Sequence, residues 1–128
     1  MPDPEQAQRI YQLMVLTAWA DGKVEASEAL VVHEVVSSIA ELKEVPKKGE
    51  LSKGVKARIE AVGLDAALRE LAAGLADTAH KELAFRSCAQ VLEADGDVDQ
   101  AEAEVLGTLQ ELFSLGPADV KRLLAGVR

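Results

Sequence analysis

Two nine-residue stretches of this chain are versions of one another. Ala20-Asp21-Gly22-Lys23-Val24-Glu25-Ala26-Ser27-Glu28 aligns with Ala94-Asp95-Gly96-Asp97-Val98-Asp99-Gln100-Ala101-Glu102, matching at Ala, Asp, Gly, Val and the closing Glu. Each copy follows an apolar helical pattern and precedes another. A chain built this way is expected to hold two helical hairpins, one at each end, around a middle pair of helices. Duplicated hairpins tend to pack about a pseudo-twofold axis, which would bring their turns near each other.

The rest of the chain supports an all-α reading. Only 3% of the 128 residues are aromatic while 48% are hydrophobic, so the core must be built from Leu, Val, Ile and Ala, a mixture that favours helix. That length fits one domain, residues 1–128. Asp3-Pro4 is a helix start, and Ile10, Leu13, Met14 and Thr17 keep one face as far as Trp19 and Ala20. A second helix is expected from near Glu25 to about Leu42, with Val31, Val32, Val35, Val36 and Ile39 inside. Lys43 to Leu51 reads as an exposed loop. Ser52 is placed as the cap of a third helix burying Val55, Ile59 and Val62 and ended by Gly63. Asp65 is placed as the cap of a fourth with Leu68, Leu71 and Leu75 inside. The fifth spans about Thr78 to Ala94 and buries Phe85, Cys88, Val91 and Leu92. The sixth follows Asp99 with Val105, Leu106, Leu109, Leu112 and Phe113. Gly116-Pro117 opens the seventh, with Val120, Leu123, Leu124 and Val127.

Charge narrows the function. A net charge of −8 and the scarcity of aromatic platforms argue against a nucleic-acid partner. An anionic membrane would repel the chain overall, and no apolar run approaches the ~18 residues of a membrane span. A cation or a basic protein surface is the more natural partner. No secretory signal opens the chain, and one cysteine, Cys88, allows no internal disulfide, so a cytoplasmic protein is expected. Lys43, Lys47, Lys48, Lys53, Lys56 and Arg58 make the middle basic: either a solvated face or a charge-polarised surface that docks a partner.

The turns admit two readings. Gly22 and Gly96 let the chain leave a helix, and Glu25 with Glu28, or Asp99 with Glu102, resembles a capping box. The same turns also set carboxylates in register with the core. Glu28 extends the stripe of Val31, Val32 and Val35, and Glu102 that of Val105, Leu106 and Leu109. Asp95 continues Cys88, Val91 and Leu92, and Asp21 continues Met14 and Thr17. Four inward carboxylates would repel one another unless they shared protons or a cation. The metal candidates are therefore Asp21, Glu28, Asp95 and Glu102 first, with Asp97 and Asp99 second. A set without Cys or His favours Ca2+ or Mg2+ over Zn2+. Asp-Gly-x-Val-x-x-x-Glu imitates the second half of an EF-hand loop, but the loop's first and third positions would be Thr17 and Trp19, or Val91 and Glu93, which read as helix. Elsewhere, His33 reads as a boundary residue, His80 as solvated and Cys88 as inert core. No phosphate loop or nucleophilic triad can be assembled.

The Ala-Asp-Gly-x-Val-x-x-x-Glu turn after an apolar helix, repeated before Gly116-Pro117-Ala118-Asp119-Val120-Lys121-Arg122-Leu123-Leu124, resembles the TerB-like fold of tellurite-resistance proteins. That fold also includes the N-terminal region of a membrane-anchored DnaJ-type co-chaperone. The resemblance spans nearly the whole chain. It implies seven helices and a bacterial cytoplasmic, non-enzymatic stress-response module that binds metal and associates with protein partners in membrane-associated complexes. Its acidic positions fall on Asp21, Glu28, Asp95 and Glu102. Lys23 stands where the second copy has Asp97, which favours a single or asymmetric ion site. A metal-dependent hydrolase, with His33 as the only separate base in view, and a metal-free adaptor are the alternatives.

Overall fold

The computed structural model describes residues 4–20, 26–39, 42–95 and 100–125; the side chains of residues 26–31, 95, 101 and 102 also lie outside the description. Seven helices run α1 (Pro4–Ala18), α2 (Ala26–Ser38), α3 (Lys48–Val62), α4 (Leu64–Ala73), α5 (Thr78–Asp95), α6 (Gln100–Leu112) and α7 (Pro117–Ala125), with no strand among the described residues. Helices α1 and α2 pack as one hairpin, α5 and α6 as the other, and α3 against α4 between them. The reciprocal packings of α1 on α6 and α2 on α5 fit the expected two-hairpin plan.

Helix α1 is the centre of the bundle because its second half, Leu13 to Ala18, is buried all the way round, while Glu5, Gln8, Arg9 and Gln12 keep a polar stripe on its first half. Ile10, Leu13, Met14 and Leu16 have no exposed surface, and α2, α3, α4, α5 and α6 all pack on it. Its largest partner is α5, which contributes Phe85, Cys88 and Val91, each buried. The two helices are parallel. Gln6 donates its Nε2 to the Gly74 carbonyl at 2.9 Å, and its Oε1 accepts from the Ala76 amide at 3.4 Å. Further along both helices, the Thr17 hydroxyl, which donates to the Leu13 carbonyl at 2.8 Å, lies close enough to Cys88 to influence its thiol. From Gln6 to Thr17 and from Ala76 to Cys88 the chain advances in the same sense by nearly the same number of residues.

Several local expectations are corrected. α2 ends at Ser38, short of Leu42. Ser37 and Ser38 turn their hydroxyls back onto the carbonyls of His33 and Val35, at 2.9 and 2.7 Å, offering the backbone an alternative to further helix. The following connection is not simply exposed, since Leu42 and Val45 are buried in it. α3 starts at Lys48, so Ser52 is no cap; its hydroxyl lies inside the helix, 3.0 Å from the Tyr11 hydroxyl. Val62 is 39% exposed because α3 ends there and turns away. Asp65 is not the cap of α4 either: Gly63 occupies that position, and Asp65 pairs with Arg69 at 2.8 Å. Leu124 faces outward on α7, where Leu123 takes the buried position. Val31 (as a side chain), Asp3 and Val127 lie outside the described residues.

Two backbone positions give a direct test. Gly63 joins α3 to α4 at φ 90° and ψ 160°, a region that only glycine adopts freely, and open space surrounds its Cα. Gly63→Ala is therefore expected to cost about 1–3 kcal/mol, all of it backbone strain. Ser114 carries the left-handed conformation (φ 56°) that closes α6, with the Leu115 amide reaching the Gln110 carbonyl at 3.0 Å. Ser114→Gly removes the Cβ penalty and should stabilise by roughly 0.5–1 kcal/mol. Urea denaturation of the two variants should give midpoints displaced in opposite directions.

Candidate functional site

The repeated turns leave the bundle from the ends of α1 and α5. Because those helices are parallel neighbours, their C-terminal ends lie on the same side of the molecule. The alanines that open the two motifs, Ala20 and Ala94, stand three and six residues beyond the Thr17–Cys88 contact. At the helical rise this is a difference of about 4.5 Å, so α5 reaches roughly one turn further out. Their environments differ accordingly: Ala20 is buried and Ala94 exposed. The two copies of the motif are thus supported at one end of the bundle but not at the same depth.

The stripes that lead to the candidate carboxylates are largely buried, with Leu106 only partly so and the Val31 side chain outside the description. Met14 and Thr17 precede Asp21; Cys88, Val91 and Leu92 precede Asp95; Val32 and Val35 follow Glu28; Val105 and Leu109 follow Glu102. The carboxylates themselves are another matter. Asp21, Asp97 and Asp99 lie outside the described residues, as do the side chains of Glu28, Asp95 and Glu102. Among the described residues, no group of three or more His, Cys, Asp and Glu side chains is placed to hold a metal ion.

Cys88, His33 and His80 are the other side chains with reactive groups that the sequence singled out. Cys88 is wholly buried, and burial pushes its thiol from the ordinary 9.0 up to about 12, against a smaller opposing effect from Thr17. A neutral, enclosed thiol is no nucleophile. Cys88 should therefore resist alkylating reagents at pH 8 in the folded protein and react once urea unfolds it. The same shift has a thermodynamic sign. The unfolded chain loses this proton from near pH 9 while the folded chain keeps it to about 12, so stability is full below pH 9 and declines through that window. Chemical denaturation at pH 8 and pH 10.5, compared between wild type and Cys88→Ala, isolates this contribution.

His33 is exposed on α2. His80 is not solvated as expected: its side chain is only 14% accessible, with Nδ1 3.3 Å from Asp77 Oδ2. It stands near the start of α5, the opposite end of that helix from the turn. A base for hydrolysis at the turns is therefore not supplied by His80.

A small feature near the site was not visible in the sequence. Tyr11, Val15, Trp19, Val32 and Ser52 surround a cavity of about 20 Å³, room for a single water. The Trp19 indole Nε1 is buried without a hydrogen-bond partner among the described residues. Ser52 sits 41 residues from Tyr11, and no local pattern announces a contact of that separation.

The molecule is thus an all-helical module of two hairpins around a middle pair of helices. Residues 13–125 match the family model described as Tellurite resistance protein TerB. This chain belongs to that family. Searches of curated proteins and of solved structures returned no match.

Proposed function

We propose that this TerB-family domain is a non-enzymatic module that takes up a divalent cation between its two acidic turns and thereby presents one end of the bundle to a protein partner. The observation that carries the reading is the parallel packing of α1 on α5, which brings the supports of both turns to the same side. The donors would be Asp21, Glu28, Asp95 and Glu102, with Asp97 and Asp99 added from the more acidic second turn. An all-carboxylate set suits a hard ion, Ca2+ or Mg2+, over Zn2+. The unequal depth of Ala20 and Ala94, with Lys23 opposite Asp97, favours one asymmetric site over two equivalent ones.

No helix among the described residues is long and apolar enough to cross a membrane. Association with a membrane-anchored stress complex, a DnaJ-type co-chaperone included, would then run through a protein partner, in the cytoplasm. Tellurite resistance would be one outcome of such a role.

Calorimetric titration of chelator-treated protein with Ca2+ and Mg2+ tests the reading, with Trp19 as an optical reporter. Trp19 is the sole tryptophan, is 7% exposed and lies two residues before Asp21. One saturable site with a change in Trp19 emission is expected. No heat and no spectral change with either ion would leave a metal-free adaptor.

A further inference from the structure

Helix α4 separates two faces of opposite charge. Residues 43–58 hold six cations against two carboxylates, Glu44 and Glu50, a local charge of +4; with −8 on the whole chain, the remainder carries −12. Arg58 is engaged with Glu70 on α4 at 2.7 Å. Lys43, Lys47, Lys53 and Lys56 are exposed, and Lys48 rests its Nζ on the Lys43 carbonyl at 3.0 Å. None of these five lysines has a carboxylate partner among the described residues.

The opposing face belongs to α6. No Lys, Arg or His occurs between Arg86 and Lys121. Along α6 runs an open groove of about 620 Å³ whose lining includes Glu104, Gly107, Thr108 and Glu111. Glu104 and Glu111 are exposed and two turns apart, about 10.5 Å along the axis. Between them Gly107 leaves the helix bare, with nothing within 4 Å of where a Cβ would be. Lys48 and Lys56 on α3 are spaced by about 12 Å, a near match. Within one chain the faces are kept apart, since Arg58 approaches α4 from α3 while Arg69 of α4 approaches Glu111 of α6.

We propose that the basic face of α3 in one copy docks into the acidic α6 groove of a second copy, head to tail. Among the described residues the five lysines form no ion pair, nor do Glu104 and Glu111, and the two sets are complementary in charge. A contact between unlike faces does not close on itself, so assembly would continue into short open chains. The net charge of −8 opposes association at long range. At about 0.1 M salt, with a Debye length of about 10 Å, that repulsion is screened while contacting pairs still attract. The proposal stands apart from cation uptake.

Sedimentation velocity of the whole chain in EDTA, at about 0.1 M and about 0.5 M NaCl, provides the test. The weight-average mass should rise toward twice the monomer value at the lower salt and return to monomer at the higher. K53E/K56E takes residues 43–58 from +4 to zero and puts two carboxylates on α3, while E104K/E111K makes the groove basic, so each variant should be monomeric alone. Their equimolar mixture, and the chain carrying all four changes, should associate again. All four positions are exposed, and circular dichroism checks the fold; if a reversed variant loses helix, K53Q/K56Q and E104Q/E111Q serve instead as loss-of-association tests. A wild type that stays monomeric at both salts overturns the proposal, as does self-association of either two-site variant alone. A monomeric wild type that binds a Lys-rich peptide, with E104K/E111K failing to bind it, would assign the groove to a basic partner instead.

Discussion

Phe85→Ala is expected to lower the unfolding free energy by about 3–5 kcal/mol, the largest loss from any single truncation considered for this chain. Phe85 is one of two phenylalanines and 2% exposed, on the helix that packs most extensively against α1. The surrounding core is aliphatic and alanine-rich, with Ala84, Ala89 and Ala72 all buried. A core in which many positions are alanine has fewer long side chains to swing into the space of a lost ring, so a cavity should persist. A domain of ordinary stability holds only about 5–15 kcal/mol, so the variant should sit near the edge of folding. Its urea midpoint should fall sharply at unchanged slope, and Cys88, three residues on, should become reactive toward alkylating reagents under native conditions. A midpoint within experimental error of wild type would show that the α1–α5 core repacks.

The second large effect is expected at the turns, and its signature is a change of sign. If carboxylates converge there, the ion-free protein carries their mutual repulsion. Asp95→Asn or Glu102→Gln should then stabilise the ion-free protein modestly while removing its response to Ca2+ or Mg2+. Wild type at a hundredfold excess of ion over its dissociation constant should gain about 2.7 kcal/mol of stability, and the variants almost none. Thermal melts with and without chelator measure both halves. Equal stability of all forms in both conditions would return the turns to helix punctuation, as the capping-box reading of Glu25 with Glu28 and Asp99 with Glu102 has it. The hydrolase alternative would require turnover lost in Glu102→Gln, and neither Cys88 nor His80 is placed to assist such chemistry.

Much of the architecture was legible in the residues because helix and burial are largely local matters. The spacing of Ile10, Leu13, Met14 and Thr17, or of Phe85, Cys88, Val91 and Leu92, dictates an apolar stripe whichever neighbour covers it, and all eight are buried. Gly63 ends α3 as read, since glycine alone enters its backbone conformation freely. The repeat likewise announced two hairpins. Departures fell mostly at helix boundaries, at the end of α2 and at the starts of α3 and α4. Ser52 and Asp65 are good capping residues, yet α3 begins four residues earlier, with Lys47 left-handed at its start, and Gly63 serves α4. A cap preference of about 1 kcal/mol is outweighed once tertiary packing recruits Ser52 to Tyr11.

What the sequence by itself determined is the inventory: seven apolar stripes, two acidic turns and one basic segment, each written in spacings of three and four residues. Only the tertiary structure decided how they are arranged. That α1 and α5 run parallel, that Ala20 is buried where Ala94 is exposed, and that α4 stands between the basic and acidic faces depend on contacts such as Gln6 with Gly74 and Thr17 with Cys88. Those pairs are some 70 residues apart, and the free energy that selects them comes from burying the second half of α1 on all sides at once, which no local pattern encodes.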